Sequence, residues 1–168
     1  MGRGPARGRR GGGRVEGGAF GVVIVAVGRA RGAPEAALVA GYLGQLPWPA
    51  RVVEVREAAA RPDRRRREGE ALLAALPDDA TVVALDRAGE ILSSVAFSTR
   101  LARWRDGGVR ELAFVIGGAD GLDPLVLARA DARLSLGAMT WPHLLARVML
   151  AEQLWRAASL LLGHPYHR

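Results

Sequence analysis

Phe114-Val-Ile-Gly-Gly-Ala-Asp-Gly-Leu-Asp-Pro124 and, nine residues further on, Leu134-Ser-Leu-Gly-Ala-Met-Thr-Trp-Pro-His143 are the two stretches that decide the fold. In each, an apolar run typical of a strand enters a turn of small residues, and a helix signal follows. Loops that leave parallel strands meet at the carboxyl edge of the sheet, where glycines let a ligand approach the backbone. The two stretches therefore predict an α/β sheet with a binding pocket at that edge.

The rest of the chain repeats this alternation of strand and helix. Apolar runs typical of strands that are buried on both faces occupy 22–27, 51–55, 81–85, 112–116 and 133–136. Helical patterns occupy 34–46, 61–76, 93–105 and a stretch from Pro124. A last helix is predicted to be capped by Thr140 and to end at Gly163. We expect one α/β domain over residues 21–168, with a parallel sheet of five to six strands flanked by helices.

A third turn, Leu85-Asp-Arg-Ala-Gly89, follows the third predicted strand at the same sheet edge. Three such turns would enclose a ligand the size of a nucleoside, with backbone groups contacting the edge of an adenine. The chain contains neither the glycine fingerprint of Rossmann folds nor a P-loop. Taken alone, the segment 117–121 is equally consistent with an ordinary strand-to-helix turn.

Length and composition limit the class of protein. The 168 residues are enough for one domain with a sizeable core, and 49% of them are apolar. No apolar run reaches the roughly 18 residues that a membrane span needs, so no membrane partner is expected. The absence of cysteine excludes disulfides and thiol catalysis, and a cytoplasmic location fits it.

Every one of the 24 basic residues is arginine, a bias that a GC-rich genome explains. Residues 1–21 carry a net charge of +4 and the rest of the chain +3, so the domain is mildly basic and compatible with RNA binding. The Gly/Arg-rich extension at residues 1–20 is predicted to be disordered, because it buries too little apolar surface to offset its ordering entropy. An RNA tether and a dispensable extension both stay open for it.

Several polar residues near the C-terminus are candidates for a functional site. The histidines lack the spacing of metal ligands, so no metal is predicted. His143, in the first turn of the last helix, is either a structural hydrogen-bonding group or a catalytic one. Arg147 either faces solvent or meets an RNA phosphate or a dimer partner. In the tail 163–168, Tyr166 could stack on a base and Arg168 could meet a phosphate.

Six motifs in a fixed order extend over all but the first 20 or so residues: Val22-x-Ile-x-Ala-Val-Gly28, Leu85-Asp-x-x-Gly-x-x-Leu-Ser-Ser94, Phe114-Val-Ile-Gly-Gly-x-x-Gly-Leu122, Leu134-Ser-x-x-x-Met-Thr-x-Pro-His143, Arg147-Val-x-Leu-x-Glu-Gln-Leu-Trp-Arg-Ala157 and Pro165-Tyr-His-Arg168. Together they resemble the SPOUT-superfamily methyltransferases of the RlmH (YbeA) type, which act on large-subunit ribosomal RNA. The resemblance implies a homodimer with a C-terminal trefoil knot, a rare exception to unknotted connectivity.

The resemblance also implies the reaction and its cofactor. S-adenosylmethionine would be the methyl donor, and the product would be N3-methylpseudouridine in helix 69 of the 23S rRNA, made on the assembled ribosome. The cofactor contacts would fall on Leu85, Gly117, Leu136, Gly137, Ala138, Met139, Thr140 and Trp141. Three departures from the family pattern are Glu90 in place of a common Lys, Ala119-Asp120 in place of Pro-Glu, and the small pair Gly137-Ala138. Because of that last change, adenine contacts there are expected to be mainly with the backbone.

Methylation at N3 requires that the acceptor lose its proton, so a base or an electropositive group is expected beside it. The candidates are His143, Tyr166, His167 and Arg168. We favour the tail, reaching into the partner protomer's site, with Arg168 stabilising the developing anion. Two alternatives are a knotted methyltransferase for another RNA nucleotide and a non-enzymatic, ribosome-associated RNA-binding protein with the same fold.

Overall fold

The computed structural model describes residues 19–167, except for the side chain of His167. Strands and helices alternate along this part of the chain. The strands are β1 (Gly21–Val27), β2 (Ala50–Val55), β3 (Thr81–Ile91), β4 (Glu111–Ile116) and β5 (Ala132–Ser135). The helices are α1 (Pro34–Leu43), α2 (Arg64–Ala75), α3 (Ser94–Asp106), α4 (Pro124–Arg129) and α5 (His143–Leu161), followed by a 3₁₀ turn at Pro165–His167.

The five described strands form one parallel sheet in the spatial order β2-β1-β4-β3-β5. Even-numbered side chains of β1 enter a core covered by α1, α3 and α5, and odd-numbered ones enter a core covered by α2 and α4. Both faces of the central strands are therefore buried, which explains their uninterrupted apolar sequences. The predicted parallel sheet flanked by helices is confirmed.

One strand differs from its prediction, because β3 does not end at Leu85. Leu85 and Glu90 both align with Leu134 of β5, so residues 86–89 leave the sheet between them. We call these four residues the β3 excursion. A Cβ atom on Gly89 would lie 2.7 Å from the backbone carbon of Leu134, so only glycine lets the excursion pass this closely against β5. The predicted turn is a bulge within β3 that lies against β5, rather than the end of a strand.

The prediction that Thr140 caps α5 is wrong. Pro142 occupies the N-cap position with an extended backbone, at φ −55° and ψ 140°, and the helix begins at the next residue. Proline disfavours helical geometry in the residue before it, so Trp141 stays out of the helix and delays its start. Asp123 caps α4 and Ser93 caps α3, each through a side-chain oxygen that accepts a backbone amide. Helices α1 and α2 are each about one turn shorter than the sequence pattern indicates.

Arg147 ties α5 to the carboxyl end of β1. Its side chain is 2% exposed, and its Nη1 atom lies 2.7 Å from Oε1 of Glu54 on β2. Its Nη2 atom donates to the carbonyl oxygens of Val27, at 2.7 Å, and Gly28, at 2.6 Å. Every role predicted for Arg147, a solvated face, an RNA phosphate or a dimer contact, is therefore wrong. The guanidinium satisfies buried backbone carbonyls instead.

Little of the N-terminal extension is described. Ala19 and Phe20 belong to the described part, and the Phe20 ring packs edge-on against Trp48 at 5.3 Å between centroids. The disorder predicted for residues 1–18 lies outside the described residues. Between residues 19 and 167, no helix combines the length and the apolar character that crossing a bilayer requires.

Candidate functional site

A cavity of about 730 Å³ opens at the carboxyl edge of the sheet, between residues of β3 and the loops that follow β4 and β5. The start of the β3 excursion, the loop after β4 and the loop between β5 and α5 form its walls. Its volume is within the range of about 300–1,000 Å³ that is usual for small-molecule sites. The cavity thus lies at the sheet edge where the two glycine-containing stretches predict a pocket.

The loop 117–121 is compact because its glycines permit close backbone contacts. Gly118 and Gly121 form an antiparallel bridge, and the Gly121 amide donates to the Gly118 carbonyl at 3.1 Å. Gly121 has a φ of 73°, which favours glycine. A Cβ atom on Gly117 would lie 2.7 Å from the carbonyl carbon of Gly121. Any side chain at position 117 would therefore push this wall out of place.

Ser135 fixes the other loop where it leaves β5. Its buried hydroxyl donates to the carbonyl of Gly137 and accepts from the amide of Gly137, both at 3.2 Å. Gly137 has a φ of 112°, a conformation that side chains rarely adopt. Beyond it, Met139 is 71% exposed and Trp141 is 40% exposed. These two side chains offer apolar surface to a ligand at the cavity wall.

The loops bring together most of the residues predicted to bind the cofactor. Those that line the cavity are Leu85, Gly117, Leu136, Gly137, Met139, Thr140 and Trp141. Ala138 lies in the same loop, exposed, and does not line the cavity. Sequence reasoning missed Ser135 and Pro142, which also line it. Ser135 ends β5 and Pro142 directly precedes α5, so their place at the two ends of the predicted loop is the signal that would have found them. The contacts themselves stay a prediction.

The lining has the chemistry that a nucleoside with an amino-acid chain requires. Leu85, Ile116 and Leu136 supply apolar surface for a ring, and the glycine loops expose backbone donors and acceptors. Asp86 and Arg87 also line the cavity and offer opposite charges. A zwitterionic ligand with a cationic sulfur can therefore be accommodated by the residues present.

His143 lies at the cavity wall, in the first turn of α5. Its Nε2 atom would be 3.0 Å from a Cβ atom on Gly28, so the glycine leaves room for the imidazole ring. Whether His143 is structural or catalytic stays a prediction. Within residues 19–167, no three carboxylate or imidazole groups lie close enough together to hold a metal ion.

Tyr166 lies in a different place, packed against the second half of α5. Its ring centroid is 5.6 Å from that of Trp155, and the Arg156 guanidinium carbon lies 5.2 Å from the Tyr166 ring centroid. Its hydroxyl donates to Oε1 of Glu152 at 3.4 Å. Glu152 and Arg156 form the ion pair that their i, i+4 spacing predicts, at 2.5 Å. We call Glu152, Trp155, Arg156, His164 and Tyr166 the tail cluster.

The tail cluster keeps its tyrosine protonated to higher pH than usual. Burial first, then a hydrogen bond with Tyr42 and the nearby Glu152 carboxylate, raise the pKa of Tyr166 to about 12. The phenol, protonated at neutral pH like any tyrosine, donates its hydrogen bond to Glu152.

The described chain does not bring the tail candidates to the cavity. The Tyr166 hydroxyl reaches Glu152, nine residues after His143, which corresponds to about 14 Å along the axis of α5. Tyr166 is not among the residues that line the cavity. The side chain of His167 and all of Arg168 lie outside the described residues. Of the four catalytic candidates, only His143 therefore has an observed place at the cavity.

A groove of about 440 Å³ connects the two regions along α5. Tyr42 and Glu152 line it on the side of the tail cluster, and Leu136 and Gly137, which also wall the cavity, line it on the other. Its remaining lining is largely apolar and includes Ile91, which is 67% exposed. We call it the α5 groove. Its exposed apolar surface is typical of a contact with another molecule.

Comparison with known proteins gives a family match over the whole described domain. Residues 21–167 match the family model described as a predicted SPOUT methyltransferase. The chain is 52% identical over 149 residues to the ribosomal RNA large subunit methyltransferase H of Paramagnetospirillum magneticum, covering 88% of this chain and 98% of that protein. It is 52% identical over 147 residues to the protein of the same name from Rhodospirillum centenum, covering 86% and 97%.

A likeness in fold is found among solved structures, one of which is described as a probable methylase family protein from Haemophilus influenzae. The TM-score is 0.55 over 89% of this chain and 70% of that one, and the sequences are 12% identical. At this identity the likeness concerns the fold alone.

Proposed function

The chain belongs to the SPOUT methyltransferase family, and from this premise we propose that it methylates large-subunit ribosomal RNA with S-adenosylmethionine as the methyl donor. The observation that carries the proposal is the joint occurrence of near full-length relatives and a nucleoside-sized cavity built from the family's loops. The family match also implies the trefoil knot. The β3 excursion, lying directly against β5, fits that topology.

We propose that the acceptor is N3 of a pseudouridine in helix 69 of the 23S rRNA, presented by the assembled ribosome in the cytoplasm. The support is the order of the six motifs, which extends to the terminal Pro165-Tyr-His-Arg168. A domain with a net charge of +3 outside residues 1–21 holds naked RNA weakly. Recognition of a preassembled RNA shape compensates for that weak electrostatic grip.

The cavity residues align the donor and exclude water from it. Bound there, S-adenosylmethionine supplies a methyl group on a cationic sulfur, which makes the group reactive without a metal. Leu85, Leu136 and Trp141 would hold the adenine ring, with the backbone at Gly117 and in the loop 136–141 contacting its edge. Such alignment lowers the activation free energy of methyl transfer, because donor and acceptor lose translational and rotational freedom on binding rather than in the chemical step.

The tail residues act on the acceptor. As the bond from N3 to the methyl carbon forms, the bond from sulfur to that carbon breaks, and N3 must have given up its proton. Arg168 would stabilise the negative charge at N3, and His167 and His143 are the candidates for taking the proton. Tyr166, protonated up to about pH 12, would donate a hydrogen bond.

The tail that completes a site belongs to the second copy in a homodimer. In one chain the Tyr166 hydroxyl lies at Glu152 rather than at the cavity wall. The α5 groove and the exposed side chains of Ile91 and Val95 beside it offer apolar surface for a second copy. Dimerisation over this surface would place the tail of one protomer beside the cavity of the other.

The test is mass spectrometry of 23S rRNA from a strain that lacks the chain, together with calorimetry of the purified protein with S-adenosylmethionine. We expect one methyl group to disappear from the helix 69 pseudouridine and to return on complementation. No binding of S-adenosylmethionine would leave the non-enzymatic RNA-binding alternative. Loss of a methyl group from another nucleotide would contradict the proposed acceptor but keep the enzyme class.

A further inference from the structure

The start of α2 and the loop before it carry a dense arginine cluster whose acidic neighbours are already engaged. Arg64 is 14% exposed on its side chain and pairs with Glu57 and with Glu68, whose Oε1 lies 3.2 Å from its Nε. The same Nε lies 3.9 Å from Oδ2 of Asp120, in the loop after β4. Arg64 therefore engages three carboxylates, which are then not available to the neighbouring arginines.

Arg56 and Arg67 are the two of these neighbours that line the same depression. Both side chains are exposed, and in the described part of the chain neither takes part in an ion pair or a side-chain hydrogen bond. They line a depression of about 630 Å³. Its remaining lining consists of Ala58, Ala59 and Ala71, and of Glu57, whose carboxylate is paired with Arg64.

This depression is coupled by packing to the cavity. Glu68 is 1% exposed, and its Oε1 accepts from the amide of Ala58, in the wall of the depression, at 3.0 Å. A Cβ atom on Gly118, in the cavity loop, would lie 2.8 Å from the other carboxylate oxygen of Glu68. The wall of the depression and the loop of the cavity thus both contact the buried carboxylate of Glu68. The depression therefore lies close beside the cavity, at the same edge of the sheet.

We propose that Arg56 and Arg67 bind a backbone phosphate of the ribosomal RNA next to the methylated nucleotide. The inference rests on the proposed function, which supplies the RNA. Guanidinium groups match the geometry of phosphate oxygens, and two of them lining one depression can contact the same phosphate. The alanines leave space for the phosphate, and contacts of this kind set the register of an RNA without reading its sequence.

The experiment compares wild-type protein with Arg56→Ala, Arg67→Ala and the double variant, using purified ribosomes and S-adenosylmethionine. We expect KM for ribosomes to rise about tenfold in the double variant, with kcat and the affinity for S-adenosylmethionine unchanged. The slope of log(kcat/KM) against log[KCl] should become shallower by about 0.7–0.9, the value for one lost phosphate contact. The matched control is Arg103→Ala, an exposed arginine on α3, which covers the opposite face of the sheet.

Three outcomes would overturn the inference: an unchanged KM, an equal rise in Arg103→Ala, or a rise with no change in salt slope. The last outcome would assign the surface to a contact other than phosphate, such as a ribosomal protein. Replacement of both residues by lysine, which keeps the charge, should restore most of the affinity. Failure of the proposed function would be seen separately, because the wild-type protein would then transfer no methyl group to ribosomes.

Discussion

The cavity and the tail cluster are built from opposite kinds of residue. The cavity owes its shape to backbone packing at Gly117, Gly121 and Gly137, where a side chain would collide or strain the chain. The tail cluster owes its shape to charged and aromatic side chains, of which Arg156 contacts both Glu152 and Tyr166. The first is suited to holding a ligand and the second to placing charge beside one. In the proposed mechanism, donor binding and proton chemistry therefore belong to separate parts of the chain.

The largest expected effect comes from removing the tail chemistry while leaving the cavity intact. The double variant Tyr166→Ala, Arg168→Ala should slow methyl transfer about a thousandfold, or about 4 kcal/mol, because it removes the groups proposed to stabilise the N3 anion. Single-turnover methylation of ribosomes measures the rate, and calorimetry should show unchanged affinity for S-adenosylmethionine. Arg110→Ala, which removes an exposed charge at the other edge of the sheet, is the control. Full activity of the double variant would separate the tail from catalysis.

The next largest effect tests whether the cavity end of α5 is a rigid scaffold. Arg147→Met should lower the free energy of unfolding by about 3 kcal/mol, because it leaves the carbonyls of Val27 and Gly28 without this donor and Glu54 without its ion-pair partner. Urea denaturation measures the change. Arg156→Met, on the same helix but partly exposed in the tail cluster, should cost less than about 1 kcal/mol. Equal losses would mean that both ends of the helix depend on their arginines alike.

A smaller effect is expected on donor affinity. Gly117→Ala should weaken binding of S-adenosylmethionine about thirtyfold, or about 2 kcal/mol, because its Cβ atom meets the Gly121 backbone. Calorimetry measures the affinity. Gly41→Ala on α1, where an added Cβ meets nothing within 4 Å, should bind as the wild type does. Unchanged affinity in the position 117 variant would place the donor elsewhere.

Mixing two impaired variants, at a concentration of S-adenosylmethionine too low to saturate Gly117→Ala, tests the two regions together. Equal amounts of Gly117→Ala and of the tail double variant, allowed to exchange subunits, should recover about a quarter of wild-type activity. Half of the dimers are then mixed, and each mixed dimer has one site with an intact cavity and an intact partner tail. The assay is ribosome methylation before and after exchange. Activity that stays at the level of the separate variants would mean that each chain uses its own tail.

The smallest effect concerns stability at high pH. Tyr166 has its pKa raised from 10 to about 12, so its protonated form stabilises the fold fully below about pH 10. This contribution should decline as the pH rises towards 12. Tyr166→Phe should remove this contribution, so that the unfolding midpoint falls less between pH 9 and pH 12 than it does in the wild type. If the unfolding midpoints of the wild type and of Tyr166→Phe change by the same amount between pH 9 and pH 12, the tail cluster does not hold the phenol in its protonated form.

The sequence predicted the elements of the fold better than the contacts between them. Buried parallel strands have a local signature, so the apolar run before Gly117 identified both a strand and the loop that walls the cavity. The β3 excursion has no such signature, since it is defined by the pairing of two residues with Leu134. Its local cue, Leu85-Asp-Arg-Ala-Gly89, is the same as that of a simple turn.

Arg147 shows where charge misleads a reading of helix faces. It lies three residues after Leu144 and seven before Leu154, on the apolar side of α5. That position indicated burial, whereas its charge suggested an outward role, and the position was the better guide. Its partners Val27 and Gly28 are more than a hundred residues away and became visible only in the fold. The tail assignments, by contrast, come from family resemblance and stay predictions.

The β3 excursion also links the pairing of strands to the shape of the cavity. Gly89 lies directly against Leu134 of β5, closer than any side chain would allow, and β5 leads into the loop that forms one cavity wall. Helix α5 follows this loop, covers one face of the sheet and supplies the groove proposed for the second copy. A side chain at position 89 would therefore disturb the pairing of β3 with β5, the cavity wall and that groove together.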